Sequence, residues 1–195
     1  ERGKVLWKKE GNFKTVAADE RLLYLGSPDR LTPKKTAPMV TACLPKDGKE
    51  VWAFDSHTGF LTQFLRIELD SEHLYTATYS DDPGVYASTQ YLYALKKADG
   101  TVSWKVELKK SSRKGPYYLA DKVYVTDWSG RSMSVNAKTG EVLAKRIFSD
   151  DSFPIGDGVT LEMATAYDIK AGSRLWVAEP LPTGNALQNF DLATP

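Results

Sequence analysis

The sequence has a single cysteine, Cys43, and only two histidines, His57 and His73. One thiol cannot form an internal disulfide or a cysteine-based metal cage, and in the apolar stretch VTACL we interpret Cys43 as a small buried hydrophobe. Two histidines give little material for a metal site or a Ser-His-Asp triad, and we place both in surface turns. The sequence also lacks a phosphate-cradling glycine loop, a dinucleotide fingerprint and a nucleophile elbow. We therefore predict no catalytic residue and no metal site, and we lean against an enzyme.

An excess of one charge and a long apolar run are also missing. The chain has 26 Lys and Arg against 25 Asp and Glu, which leaves a formal net charge of +1. A dedicated nucleic-acid binder usually has a marked basic excess. No apolar run approaches the length of a membrane span. We therefore expect neither nucleic-acid binding nor a membrane span.

What the sequence does contain is a repeat of glycine followed four positions later by tryptophan. Random placement of 14 Gly and 5 Trp over 195 positions would give roughly 0.4 such pairs, so four pairs are a true period. The glycines at 3, 48, 100, 140 and 172 are 45, 52, 40 and 32 residues apart, which brackets the length of a four-stranded propeller blade. The copies are Gly3–Trp7, Gly48–Trp52, Gly100–Trp104 and Gly172–Trp176, and Gly140–Ala144 has lost the ring.

A second anchor in each period is an aspartate between two apolar runs. An aspartate there can bond its own backbone two residues on, which favours a tight turn between two strands. Because aspartate turns and glycine turns alternate along the chain, each repeat holds two hairpins, enough for four strands. The aspartates are Asp19, Asp70, Asp121 and Asp157.

The tryptophans are predicted to pack between neighbouring sheets. Strand alternation puts Val102, Trp104 and Val106 on one face, and burial of each indole would contribute on the order of 3 kcal/mol. Ala144 predicts one looser or differently filled junction. The inter-blade residues are Trp7, Trp52, Trp104 and Trp176.

These motifs resemble the quinoprotein-type (PQQ-like repeat) β-propeller family, whose blades share a pattern close to A-x-D-x-x-T-G-x-x-x-W. The best matches are Ala94–Trp104 and Val135–Ala144, and Ala53–Gly59 fits the first half. The resemblance implies an all-β fold, a β-propeller of four-stranded antiparallel blades, with about four blades present as an incomplete arc of a larger ring. We assign one propeller domain with repeats over 11–55, 62–106, 115–146 and 152–178, an orphan outer strand over 1–10 and an irregular tail over 179–195.

The family contains enzymes that bind pyrroloquinoline quinone and propellers that bind no cofactor. A quinone dehydrogenase needs a closed ring around its cofactor, usually with bound calcium, so the chain looks closer to the cofactor-free scaffolds. The resemblance thus implies a non-catalytic scaffold outside the cytoplasm, either periplasmic, envelope-associated or secreted. The alternative is a segment of a pyrroloquinoline-quinone-dependent oxidoreductase that binds the quinone with calcium.

Long insertions predict one surface for a protein partner. In an up-and-down blade, the connection between strands two and three lies on the same rim as the link to the next blade. Residues 27–39, 78–90 and 107–116 should therefore share one rim, where loops on a rigid scaffold present binding residues. Another chain that completes the propeller is a second candidate partner. The predicted partner-binding residues are Arg30, Lys34, Lys35, Asp81, Asp82, Tyr86, Lys109, Lys110, Arg113 and Lys114.

Overall fold

In the computed structural model, every regular element in the described part of the chain is a β-strand. This confirms the all-β fold class that the sequence predicts. For residues 63–65, 79, 112–115, 127, 131, 146–147 and the strands within 153–177, the description concerns the main chain. The described residues are 5–10, 13, 15–26, 39–55, 63–79, 90–108, 112–127, 131–147, 153–156, 159–162, 165–168 and 174–177.

The described strands form four antiparallel sheets, each of four strands in chain order. The first sheet contains β1 (Thr15–Ala18), β2 (Leu23–Gly26), β3 (Val40–Cys43) and β4 (Glu50–Phe54). The second contains β5 (Gln63–Leu69), β6 (His73–Tyr79), β7 (Gln90–Lys96) and β8 (Val102–Leu108). The third contains β9 (Ser112–Leu119), β10 (Lys122–Asp127), β11 (Arg131–Asn136) and β12 (Val142–Ile147). The fourth contains β13 (Phe153–Gly156), β14 (Val159–Glu162), β15 (Thr165–Asp168) and β16 (Arg174–Val177).

The first three sheets pack face to face. Successive residues of a strand point to opposite faces, so the second sheet contributes to two cores. In the second sheet, Leu74 and Leu95 are buried in a core with the first sheet, whereas Tyr75 and Leu92 are buried in a core with the third. Contacts between sheets join the first to the second and the second to the third. The described residues show no comparable contact of the fourth sheet with the third or the first, and the sheets are not closed into a ring. An open arc of four-stranded propeller blades, as predicted, is confirmed.

The turn between β3 and β4 and its counterparts in the next two sheets each contain a glycine with positive φ. The φ angles are 70° at Gly48, 75° at Gly100 and 76° at Gly140. In each turn the glycine N–H donates to the carbonyl oxygen four residues earlier, at 2.9 Å. The left-handed conformation would cost a residue with a Cβ atom about 1 to 2 kcal/mol, so these turns require glycine.

An indole ring lies against each of these three glycines. A Cβ atom on Gly100 would lie 2.5 Å from Cε3 of Trp52, and Nε1 of the same indole donates to the Lys97 carbonyl at 2.9 Å. We call the glycine, together with the carbonyl three residues before it, the indole seat. The equivalent pairs are Trp7 with Gly48 and Pro45 O (2.7 Å), and Trp104 with Gly140 and Ala137 O (2.8 Å).

A β-bulge directly precedes the tryptophan position in all four sheets. In the first sheet, Ala42 pairs with Trp52 while Cys43 pairs with Glu50, which leaves one extra residue between them. Bulges bend a strand and redirect the side chains that follow. In the first two sheets the bulge therefore aims the indole of Trp52 or Trp104 at the next sheet. The extra residues are Val51, Ser103, Leu143 and Leu175.

The bulge corrects the predicted alternation at Val102, Trp104 and Val106. Val102 pairs with Leu95, whereas Trp104 pairs with Ala94 on the opposite face. Val102 is accordingly 44% exposed. The extra residue at Ser103 breaks the period of two, so the prediction is wrong for Val102.

The orphan outer strand predicted over residues 1–10 stays a prediction, because the structure describes only residues 5–10 of it. Within these residues, Trp7 lies on the Gly48 seat. One boundary predicted from the sequence differs from the structure. The basic link predicted over 107–116 is shorter than expected, because β8 continues to Leu108 and β9 begins at Ser112.

We predict that Gly100→Ala lowers the free energy of unfolding by about 3 kcal/mol, because it adds left-handed strain and displaces the indole of Trp52. Gly26→Ala is the control, since Gly26 has no positive φ and the nearest atom to an added Cβ is 3.2 Å away. It should cost about 1 kcal/mol. Denaturant unfolding measures both values.

A double-mutant cycle separates the two causes. In a Trp52→Ala background the clash is gone, so Gly100→Ala should cost only the backbone strain, about 1 kcal/mol. An unchanged cost in that background would mean that the indole and the glycine are not energetically coupled.

Candidate functional site

The strand order places the connections on two opposite rims of the arc. In each antiparallel sheet, the turn between the first two strands and the turn between the last two lie at one end. We call this end the turn rim. The opposite end, the loop rim, receives the connection between the second and third strands and the link to the next sheet. Its connections in the first three sheets are 27–39, 55–62, 80–89, 109–111, 128–130 and 148–152.

The predicted partner-binding residues fall in the sequence segments that connect strands at the loop rim or at its edge. Arg113 and Lys114 were expected in a loop, but their main chain belongs to β9. The other residues lie outside the part of the chain that the structure describes. They are Arg30, Lys34, Lys35, Asp81, Asp82, Tyr86, Lys109 and Lys110.

On the turn rim, Asp19 closes the turn between β1 and β2. Its Oδ1 accepts the main-chain N–H groups of Arg21 and Leu22, both at 2.9 Å. Asp70 does the same in the second sheet, where Oδ1 accepts the N–H groups of Glu72 and His73. These two aspartates act as the sequence predicts, since a side-chain carboxylate replaces main-chain acceptors in the tight turn.

Asp121 does not act as predicted. The turn of the third sheet is shorter, because Leu119 pairs with Lys122 across it, and Ala120 and Asp121 have φ angles of 49° and 57°. The Asp121 carboxylate accepts the hydroxyl of Tyr118 at 3.0 Å. By its position in the turn, Asp121 corresponds to Glu72. The Glu72 carbonyl accepts the N–H of Lys97, and the Asp121 carbonyl accepts the N–H of Ala137. Lys97 and Ala137 each lie three residues before a seat glycine.

Lys97 joins the first two sheets on the turn rim. Its Nζ lies 2.8 Å from Oδ2 of Asp19 in the first sheet and donates to the carbonyl of Asp70 in the second, also at 2.8 Å. Its own carbonyl accepts the indole N–H of Trp52. One residue therefore connects the indole seat to both aspartate turns.

Two buried tyrosines that the sequence did not single out complete these turns. Tyr24 donates to Oδ2 of Asp19 at 3.1 Å, and Tyr75 donates to Oδ2 of Asp70. Each ring lies in a cross-strand row with a small residue and the tryptophan of its own sheet. The available signal was a tyrosine five residues after each of these aspartates. The rows are Tyr24–Ala42–Trp52 and Tyr75–Ala94–Trp104, with ring centroids 5.9 and 5.8 Å apart.

The pKa values of these groups follow from the hydrogen bonds. Burial raises the pKa of Asp19, but hydrogen bonds from Lys97, two main-chain N–H groups and Tyr24 outweigh it and hold the pKa well below its usual range. The pKa of Asp70 is also lowered, because hydrogen bonds from Tyr75 and two main-chain N–H groups outweigh the effect of burial. Burial and the carboxylate partners raise the pKa values of both tyrosines. These four groups are thus fixed in charge at neutral pH, which suits structure and not proton transfer.

The cysteine and the two histidines are the remaining residues that the sequence analysis considered. Cys43 is fully buried in β3, as expected. Its sulfur lies 3.6 Å from Nζ of Lys9. His73 was expected in a surface turn, but it begins β6, its side chain is mostly covered, and Nδ1 lies 3.6 Å from Oδ2 of Asp70. His57 lies outside the described residues.

The described residues contain no group of three or more His, Cys, Asp or Glu side chains that could hold a metal ion. Among the same residues we find no helical segment with the length and apolar character needed to cross a bilayer.

Comparison with known proteins identifies a family. The family model described as "Outer membrane protein assembly factor BamB" matches residues 36–179. The sequence matches none of the curated proteins.

Solved structures with the same fold include one natural and two designed proteins. BamB from Moraxella catarrhalis is 19% identical with a TM-score of 0.61; the match covers 91% of this chain and 56% of that one. The computationally designed Ika8 protein is 11% identical with a TM-score of 0.55, covering 83% and 47%. The designed Ika4 protein is 10% identical with a TM-score of 0.62, covering 91% and 100%. The chain thus spans little more than half the length of the natural BamB chain.

We predict that Lys97→Met lowers the free energy of unfolding by about 2 kcal/mol, because it leaves a mostly covered Asp19 carboxylate without its ammonium. Lys96→Met is the matched control, because Lys96 is the neighbouring lysine and its side chain is exposed. This substitution should change the free energy of unfolding by less than about 0.5 kcal/mol.

Acid should reduce the difference in stability between the wild type and Lys97→Met. The folded pKa of Asp19 is lowered, so its contribution to stability is full above the unfolded pKa and is lost as the pH falls through the folded pKa. The wild type should therefore lose more stability than Lys97→Met between about pH 5 and pH 2. Parallel losses in denaturant titrations across that range would contradict the assigned role of Lys97.

Proposed function

Because the family model covers residues 36–179, the chain belongs to the family of the outer membrane protein assembly factor BamB, and we propose that it is a non-catalytic scaffold. In this proposal it binds a protein partner through the loop rim. Following the name of its family, that partner is another protein of outer membrane protein assembly. The proposal places the chain in the periplasm, at the inner face of the outer membrane.

The turn rim has short turns with internal bonds and the loop rim has long connections, and this difference supports the loop rim as the binding surface. On the turn rim, the carboxylates of Asp19 and Asp70, the Lys97 ammonium and three indole N–H groups are bonded within the protein. The turns there are short. The longer connections, 27–39 and 80–89, are both at the loop rim, and such loops on a rigid scaffold usually hold binding residues.

The composition of the loop-rim segments supports a partner that is recognised by charge. Arg30, Lys34 and Lys35 fall in the first connection, and Lys109 and Lys110 in the link after β8. Asp81 and Asp82 add opposite charge in the connection between them. Mixed charges of this kind favour specific orientation and fast association.

We propose a second binding surface on the face of the first sheet that points away from the second. Val16 on β1 is 60% exposed, whereas Ile67, at the same distance before the turn aspartate of the second sheet, is 6% exposed. Ile67 is covered because it belongs to the core between the first two sheets. A further sheet of the same repeat, from a chain that completes the propeller, would cover Val16 in the same way.

Site-specific photo-cross-linking in cells that contain the natural partners tests the loop rim. A photoreactive residue in place of Lys35 or Lys109 should give the same protein adduct. The matched controls are Lys46 and Lys138, which are exposed on the turn rim, and they should give none. Lys109→Glu together with Lys110→Glu should reduce the Lys35 adduct several-fold. An adduct formed only from the turn rim would refute the proposal.

We propose that the scaffold works without a cofactor, and titration with pyrroloquinoline quinone and Ca²⁺ tests this against the quinoprotein dehydrogenase alternative. The absorbance of the quinone and the melting temperature of the protein should both stay unchanged. A stoichiometric change in either would favour the oxidoreductase.

A further inference from the structure

The first strands of the sheets form the inner edge of the arc. Among the described residues, β1 lies against β5 and β5 lies against β9, whereas the fourth strands of neighbouring sheets make no comparable contact with one another. The sheets therefore converge at their first strands and diverge toward their fourth strands, as blades do around a propeller channel. A side chain that reaches past a first strand is thus on the channel side of the arc.

Arg66 lies on this inner edge, three residues from the loop-rim end of β5. Phe64 pairs with Thr78 and Ile67 pairs with Thr76, so two residues of β5 lie opposite one residue of β6. This irregularity is a β-bulge, which redirects side chains and often accompanies a binding site. Arg66 is one of the two residues in the bulge, and its side chain is 51% exposed.

Two partners from different sheets hold the guanidinium of Arg66. Its Nε donates to Oε1 of Glu68, two residues further along β5. Its Cζ lies 4.8 Å from the centre of the Tyr117 ring on β9. Tyr117 pairs with Tyr124, which is outside the core that the second and third sheets share. The arginine therefore reaches past β9 on the channel side to meet the ring, and the two partners fix the position of the guanidinium.

The guanidinium still has donors for a ligand. Arginine has five N–H donors, and the bond to Glu68 uses the one at Nε. Within the part of the chain that the structure describes, we find no hydrogen bond to either Nη group of Arg66. Two parallel N–H groups match the two oxygens of a carboxylate. Because the side chain is already oriented, it loses little conformational freedom when it binds one.

The repeat itself does not require an arginine at this position. The residue two before the cross-strand partner of the buried tyrosine is Thr15 in the first sheet, Arg66 in the second and Gly115 in the third. An ion pair of an arginine that is half exposed also contributes little to stability. Folding alone therefore does not account for Arg66.

The neighbouring strand adds positive charge to the loop-rim end of this edge. β9 lies against β5, and its main chain begins with Ser112, Arg113 and Lys114. Lys109 and Lys110 precede it in the sequence, and residues 108–119 contain no Asp or Glu. Positive charge concentrated at one place complements a negatively charged segment of a partner.

From these observations we infer that Arg66 binds a carboxylate of the protein partner, which presents an acidic segment to the inner edge between the second and third sheets. The two Nη groups receive the carboxylate, and Glu68 and Tyr117 act as positioning residues. This inference rests on the proposed function, since it takes the partner to be a protein bound at the loop rim. It adds the chemistry of the partner's segment and the residue that receives it.

Photo-cross-linking in cells that contain the natural partners tests Arg66, with the photoreactive residue in place of Lys35 as the reporter. Arg66→Gln should reduce the Lys35 adduct several-fold. Arg66→Lys should reduce it nearly as much, because an ammonium keeps the charge but lacks the two parallel donors. Arg21→Gln is the matched control, because Arg21 is an exposed arginine of the turn rim, and it should leave the yield unchanged.

The outcomes separate this inference from the proposed function. An adduct whose yield is unchanged by Arg66→Gln would overturn the role of Arg66 and leave the loop rim as the binding surface. The absence of any adduct from the loop rim would refute the proposed function itself.

Substitutions of Tyr117 separate positioning from stability. Tyr117→Phe keeps the ring beside the guanidinium and should leave the adduct yield close to that of the wild type, whereas Tyr117→Leu should lower it. Ile67→Ala is the stability control, because Ile67 is buried in the core with the first sheet. It should lower the melting temperature and leave the yield of the folded protein unchanged. A yield that follows the melting temperature across all these variants would overturn the proposal.

Charge exchange tests the chemistry of the partner. Mass spectrometry of the adduct formed from Lys109 identifies the partner's segment, which should contain Asp or Glu. Arg66→Glu should abolish the Lys35 adduct, and replacement of one of those acidic residues with Arg should restore it. A segment without an acidic residue, or a failure to restore the adduct at every acidic residue of the segment, would overturn the proposal.

Discussion

The contact between an indole and a glycine of the next sheet is the constraint on which the rest of this structure depends. The glycine is needed for its positive φ, and its missing Cβ leaves the space that the ring occupies. The indole N–H then satisfies a turn carbonyl that would otherwise lack a partner in this contact. The bulge just before the tryptophan aims the ring across the gap between sheets. Backbone strain, shape and hydrogen bonding thus require the same two residues at every junction described.

The polar groups of the turn rim reinforce these junctions. Lys97 bridges Asp19 and Asp70 while its carbonyl receives Trp52. In the third sheet the corresponding residue is Ala137, whose carbonyl receives Trp104 and lies 3.2 Å from the hydroxyl of Tyr75. The two junctions have the same indole seat, but the residue whose carbonyl forms the seat is Lys97 in one and Ala137 in the other. The internal bonds of Asp19, Asp70 and Lys97 on this rim therefore strengthen the junction between the first two sheets.

How far the sequence could be interpreted depended on the kind of signal. The spacing of glycine and tryptophan predicted an arc of four-stranded blades, and Cys43 was correctly placed in the core, because both rest on local pattern and polarity. The position of Val102 was wrong, since a bulge adds one residue without changing composition. Asp121 was wrong because a two-residue shift in the turn changes which atoms its carboxylate can reach. Tyr24 and Tyr75 were overlooked, although each follows its aspartate by five residues.

The sequence by itself determined the strands, the glycine turns and the period of the repeat, because main-chain conformation and burial depend on neighbours close in the chain. The tertiary structure alone decided which carbonyl each indole binds, that Lys97 pairs with the Asp19 carboxylate, and that Lys9 contacts Cys43. Those contacts link residues 33 to 78 positions apart in the sequence. They exist only after the sheets have stacked, because the distance between two blades is set by packing and not by the local pattern of either one.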